Sequence, residues 1–210
     1  ELRKVGDLCV KHNVLVVSDE IHSDFTWPGH EHHVFANLDP KYAEISITCT
    51  APSKTFNLAG LQTSNIFIPN RTLRKTFKKA IDQAGYSQLN TLGLVACQAA
   101  YEEGEPWLTE LKKYLLENLD FSRDYIERNL PSVHLIEPEG TYLIWLDFRD
   151  LRLPEEKLEH LITKEAKLWL DSGAIFGSDG EGFERINIAC PRTTLKEAFD
   201  RLAKALKSLG

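Results

Sequence analysis

Apolar positions along the chain fall into a helical rhythm and a continuous, β-branched one, and the two alternate. Leu2, Val5, Leu8 and Cys9 recur at helical spacing, and His12-Asn13 close that helix. Residues 14–17 then form an unbroken apolar run, the pattern of a buried strand. Residues 45–49 and 63–68 read as two further strands, the second ended by Pro69-Asn70. Leu73, Phe77, Ile81 and Ala84 mark one helix face, and Arg71, Arg74, Lys75, Lys78 and Lys79 mark the other. That basic face reads as a solvated one. Residues 91–101 are rich in small residues and predict a closely packed helix.

Pro106 opens a long helix, a position where proline is tolerated. Trp107, Leu111, Leu115, Leu119, Ile126 and Leu130 trace its buried side, and Pro131 stops it. A helix this long can bridge two domains, so the boundary is expected near Asn118, giving domains 1–118 and 119–210. The second is expected to be a small α+β unit. Residues 133–136 and 142–148 predict strands around a Glu139-Gly140 turn, and Pro154 opens a helix using Leu158, Leu161 and Ile162. Residues 167–170 predict a short strand, 173–182 a flexible glycine-rich connection, and 183–189 the last strand. Thr194-x-x-Glu197 has the form of a capping box, with Leu195, Phe199, Leu202, Leu206 and Leu209 lining the final helix.

Composition narrows the class. The 210 residues are 42% hydrophobic and 27% charged, ordinary for a globular chain with a real core. A net charge of −6 gives no basic field for nucleic acid. No apolar run approaches the length of a membrane helix, and the first residues lack a signal-peptide pattern. Cys9, Cys49, Cys97 and Cys190 are far apart in apolar settings, which suits reduced, buried thiols and a cytoplasmic protein. The chain has no methionine and opens in what reads as mid-helix, so it is expected to be part of a longer protein.

Chemistry collects at two strand ends. The run at 14–17 leads into Ser18-Asp19-Glu20-Ile21-His22, and the run at 45–49 leads into Thr50-Ala51-Pro52-Ser53-Lys54. Ligands of α/β folds gather at the carboxyl ends of strands. A partly desolvated lysine there can lose its proton near neutral pH and attack a carbonyl, as a Schiff base with an aldehyde cofactor requires. Taken alone, Lys54 also reads as a solvated turn lysine, and Asp19 as a turn or cap acid. Pro28-Gly29-His30-Glu31-His32-His33 is a polar loop; Val34 stands where His-Glu-x-x-His needs its second histidine, so no metal site is expected.

Asp19 three residues before His22, then Ser53-Lys54 and Phe56-Asn57-Leu58-Ala59-Gly60-Leu61-Gln62, together resemble the pyridoxal-phosphate core of the class I/II aminotransferase superfamily, of fold type I. The pattern is most similar to the cystathionine β-lyase-like carbon–sulfur lyases, which have DEIH and PSKTFNLAGLQ in these places. It continues through Gly-Thr-Tyr-Leu-Ile-Trp-Leu-Asp at 140–147 and Arg-Ile-Asn-Ile-Ala-Cys-Pro-Arg at 185–192. The resemblance implies the C-terminal part of a large α/β domain, with a mainly parallel sheet, followed by the small domain. It implies pyridoxal 5'-phosphate as cofactor, Lys54 as its covalent holder and general base, and Asp19 on the ring nitrogen. His22, Thr50 and Ser53 are implied as further cofactor contacts, and Arg185 as the grip on the carboxylate of an amino-acid substrate. Arg192 is read as structural. A homodimer is implied, as is an N-terminal half absent here, without which this chain is expected to be inactive. Two positions depart from the wider superfamily: Ala51 stands for a serine and Gln62 for a phosphate-binding arginine, as in the lyase-like subgroup. Amino-group transfer, or a non-catalytic α/β module, are the rival readings.

Overall fold

The computed structural model describes residues 1–86 and 88–209, which form two compact units, Glu1–Thr109 and Glu110–Gly210. In the first, α1 (Leu2–Lys11) is followed by β1 (Val16–Asp19). The strand starts later than the apolar run because Asn13 adopts φ 53, and the chain needs residues 13–15 to leave the helix. After α2 (Pro40–Ala43), β2 (Ser46–Thr50) pairs parallel with β1. The one-turn helix α3 (Pro52–Thr55) follows, and β3 (Asn65–Phe67) returns antiparallel on the other edge of β2. The sheet order is β1-β2-β3. The mainly parallel sheet expected from sequence is thus represented among the described residues by β1–β2 alone. Gln62, at φ 52, turns the chain back into β3.

Phe25, Trp27, Phe35 and Tyr42 are the large buried side chains of this unit. Phe35 stacks on Tyr42 with centroids 5.3 Å apart, and the Tyr42 hydroxyl donates to Asp7 Oδ1 at 2.9 Å, tying α2 to α1. The amphipathic helix α4 (Arg71–Gln83) and the small-residue-rich helix α5 (Thr91–Glu103) complete it before α6 (Glu105–Asn129) begins. Asn70 and Asn90 cap α4 and α5 through their side-chain carbonyls. Trp107 is not on a buried side, being 49% exposed; it lies against Phe56 instead. All four cysteines are free and half-buried rather than buried, since apolar neighbours such as Leu8 and Val95 are themselves exposed.

The two units divide between Thr109 and Glu110, within α6. Asn118 is fully buried in the second unit. Its Nδ2 donates to the carbonyls of Ile188 (2.7 Å) and Cys190 (3.0 Å), and its Oδ1 accepts from Arg192 Nε at 2.6 Å. That unit holds an antiparallel sheet of order β4-β5-β7-β6, from β4 (His134–Ile136), β5 (Leu143–Asp147), β6 (Asp171–Ser172) and β7 (Phe183–Asn187). Packed with it are α7 (Glu155–His160), a π-turn at Leu161–Glu165, and α8 (Arg192–Lys207). Ile144, Leu146, Ile186, Leu158, Ile162, Leu195, Phe199 and Leu202 fill the core.

Three expectations fail here for local reasons. The strand predicted at 167–170 lies at 171–172, because Lys167 takes φ 54 and Leu168 N–H donates back to Ile162 O at 3.0 Å. The glycine-rich stretch is not a loose connection but two 3-10 turns, Gly173–Phe176 and Ser178–Gly180. The Glu155 carboxylate fastens both ends, accepting from Ser172 Oγ (2.7 Å) and Gly182 N–H (2.9 Å). The capping box does not form: α8 starts at Arg192 behind Pro191, so Thr194 lies inside the first turn and its N–H donates to Pro191 O.

Candidate functional site

Parallel pairing puts Asp19, the last residue of β1, directly beside Cys49, and Thr50 then ends β2. Both strands therefore present their carboxyl ends on the same side. Ala51 is extended, and Pro52, whose ring presets the helical φ, begins α3. Lys54 is the third residue of that single turn. Lys54 is exposed in this chain, and among the described residues it makes no hydrogen bond or ion pair. Asp19 is also exposed; its Oδ1 accepts from Ile21 N–H at 3.2 Å and no cation pairs with it among the described residues. Ser53 and Thr50 are half-buried beside them, and His22 is half-buried in the turn after β1.

Residues outside the implied cofactor contacts hold this arrangement. Asp24, from the turn after β1, accepts from Thr55 Oγ1 at 2.5 Å, and Thr55 is 1% exposed. The lysine turn is thus tied to the segment that carries Asp19 and His22. Glu20 is buried and accepts from Ser18 Oγ (2.9 Å) and Phe35 N–H (3.1 Å), with His32 Nε2 at 2.9 Å. The histidine loop is held down by this carboxylate, while His30 and His33 lie exposed. Among the described residues no group of three or more His, Cys, Asp or Glu is arranged to hold a metal ion. Asn65 and Tyr101, which carried no sequence signal, line a cleft of about 450 Å³ with Ile21, Asp24, Thr50 and Ala51 at these strand ends.

The donor set can be tested against the cofactor the sequence implies. A free carboxylate at one strand end suits a protonated ring nitrogen, and a free amine at the next suits an aldehyde. Two hydroxyls, of Thr50 and Ser53, are hydrogen-bond donors for a phosphate. Ala51 and Gln62 bring no cation, so phosphate charge is not met from these positions. With that one shortfall, the residues fit.

In the second unit, Arg185 on β7 lies opposite Asp171 of β6 and Trp145 of β5. Its Nε and Nη2 donate to Asp171 Oδ2 at 3.1 and 2.8 Å, and its guanidinium sits 4.6 Å from the Phe176 ring centroid. Arg192 packs over Tyr114 and Phe121 while bonding Asn118, which accounts for it structurally.

Comparison with known proteins adds four matches. The family described as aminotransferase class I and II matches residues 1–202. The chain is 44% identical over 206 residues to a cystathionine beta-lyase of Bacillus subtilis, covering 98% of this chain and 53% of that protein. It superposes on cystalysin of Treponema denticola, a structure containing pyridoxal 5'-phosphate, with TM-score 0.96 and 42% identity over 100% of this chain and 53% of that one. A pyridoxal-phosphate-bound C–S lyase from Staphylococcus hominis gives TM-score 0.88 at 36% identity, covering 98% and 53%. The chain spans about half the length of the curated relatives it matches.

Proposed function

The chain belongs to the aminotransferase class I and II family, and on that premise we propose that the full-length protein is a pyridoxal-phosphate-dependent carbon–sulfur β-lyase. It would take a sulfur amino acid and water to a thiol, pyruvate and ammonia. The observation that carries the reading is the Lys54 amine on the helical turn that follows β2, next to the β1 end that carries the Asp19 carboxylate, neither having an ion-pair partner among the described residues.

Bound pyridoxal phosphate supplies an electron-withdrawing ring and an aldehyde, which together acidify the Cα–H of an amino acid. Lys54 Nζ would hold the cofactor and would serve as the base for the Cα proton. The Asp19 carboxylate would keep the proton on the ring nitrogen, and His22, three residues further on, would be a further cofactor contact. The hydroxyls of Thr50 and Ser53 would donate to the phosphate. Arg185 grips the substrate carboxylate, for which a planar fork is suited. A thiolate leaving from Cβ completes elimination. Amino-group transfer uses the same lysine and aspartate, and the family as a whole carries that chemistry in its description. We place the protein in the cytoplasm as a homodimer on resemblance; no helix among the described residues is long and apolar enough to cross a membrane.

The covalent role of Lys54 is tested by reducing the cofactor-loaded full-length protein with borohydride and mapping peptides by mass. The cofactor mass is expected on the Lys54 peptide. An unmodified Lys54 would favour a non-catalytic α/β module.

A further inference from the structure

Arg185 is not a free fork, and the way it is engaged restricts what it can hold. Directly paired residues on neighbouring strands project to the same face of a sheet. Asp171, Arg185 and Trp145 are paired in this way across β6, β7 and β5, so they form one row. A guanidinium has five N–H donors in a fixed plane. Asp171 Oδ2 spans Nε and Nη2, which is the lateral edge of that plane. The two hydrogens on Nη1 and the second on Nη2 remain, and these make up the end of the fork. One face of the plane is covered by Phe176, whose ring is itself braced edge-on by Trp145 at 5.3 Å. Phe176 is delivered by the 3-10 turn Gly173–Phe176, and Gly177 leaves that turn at φ 127, a conformation favourable only to glycine.

We infer that Asp171 is a positioning residue: with Phe176 it locks the Arg185 guanidinium so that a substrate carboxylate is received only end-on, through Nη1 and Nη2. This rests on the assignment of Arg185 as the carboxylate grip. Asp171 touches no substrate. It fixes the angle at which the amino acid is presented, and it occupies the lateral edge that a second carboxylate would otherwise use. Its charge costs the site some attraction for anions; the orientation it enforces outweighs that cost, because both carboxylate oxygens then meet aligned N–H groups.

The test uses the cofactor-loaded full-length protein and two unreactive probes, with dissociation constants from calorimetry. α-Methylmethionine has a carboxylate and no Cα–H; 3-(methylthio)propylamine has the same side chain and no carboxylate. In Asp171→Ala the α-methylmethionine constant is expected to rise about tenfold, the size of one charge-assisted hydrogen bond, with the amine constant unchanged. Asp171→Asn keeps the shape and one acceptor, guards against a folding defect, and is expected to give a smaller rise of the same selectivity. Unchanged or tighter α-methylmethionine binding in both variants overturns the inference, as does equal weakening of the two probes. Arg185→Lys separates the premise from the inference. If it leaves α-methylmethionine binding intact, the assignment of Arg185 itself fails and takes the inference with it. If it weakens binding while the Asp171 variants do not, only the role of Asp171 is lost.

Discussion

Thr55 is the residue that fixes Lys54 in place, although it carries no chemistry itself. Its hydroxyl, buried next to the lysine, is bonded to the Asp24 carboxylate at 2.5 Å. Thr55→Val keeps the shape and leaves Asp24 without that donor, so stability should fall by about 1–3 kcal/mol, read by chemical denaturation; no change would remove the clamp from the account. Lys54 and Asp19 stand out in the sequence because each follows an apolar run at a turn, whereas Ser53 and Arg185 stand out only through the resemblance to the family. The residues that hold them do not. Asp24 and Thr55 meet only when the sheet forms, and Asp171 meets Arg185 only through the β6–β7 register.

Among elements, the sequence rhythm located the helices and strands, and errors cluster where a non-glycine residue takes positive φ. Asn13, Gln62 and Lys167 do so at 53, 52 and 54°, and each displaces or reverses an element that periodicity alone would continue. Such positions carry no distinctive residue type, unlike the glycine and proline that mark ordinary turns. The junction of α5 and α6 makes an element-scale prediction. Gly104 caps α5, and a Cβ there would collide with Ala100 O and with the edge of the Phe56 ring. Phe56 packs against Tyr101 at 6.0 Å and Trp107 at 5.9 Å, and it follows Lys54 by two residues. Gly104→Ala is therefore expected to cost about 1–3 kcal/mol by overpacking and to loosen the lysine turn. Hydrogen exchange should show faster exchange of the Phe56 amide, which otherwise donates to Pro52 O at 2.8 Å. Unaltered exchange and an unchanged denaturation midpoint would contradict this.

At the scale of the molecule, each unit has its own core, and the second carries a buried acid with a global consequence. Glu184 is 2% exposed, and burial pushes its carboxyl up to about 7, reinforced by the negative charges of Glu155, Glu159 and Asp171. Unfolded, the same group titrates near about 4.3. The folded value is the higher one, so between the two the unfolded chain holds fewer protons. Stability from this group is intact below about 4.3, falls as pH rises towards about 7, and is level beyond. Glu184→Gln should remove that fall, raising the melting temperature relative to wild type at about pH 8 and far less at about pH 5. An equal difference at both would mean that Glu184 does not titrate in this range.

The central claim is that Lys54 drives elimination of a sulfur leaving group, and one assay addresses it. Full-length protein is supplied with pyridoxal phosphate and cystathionine, with no keto-acid acceptor, and pyruvate is followed with time. The account predicts pyruvate from the wild type and none from Lys54→Ala. Absence of pyruvate from the wild type, with amino-group transfer once a keto acid is added, would contradict the lyase assignment and make the protein an aminotransferase.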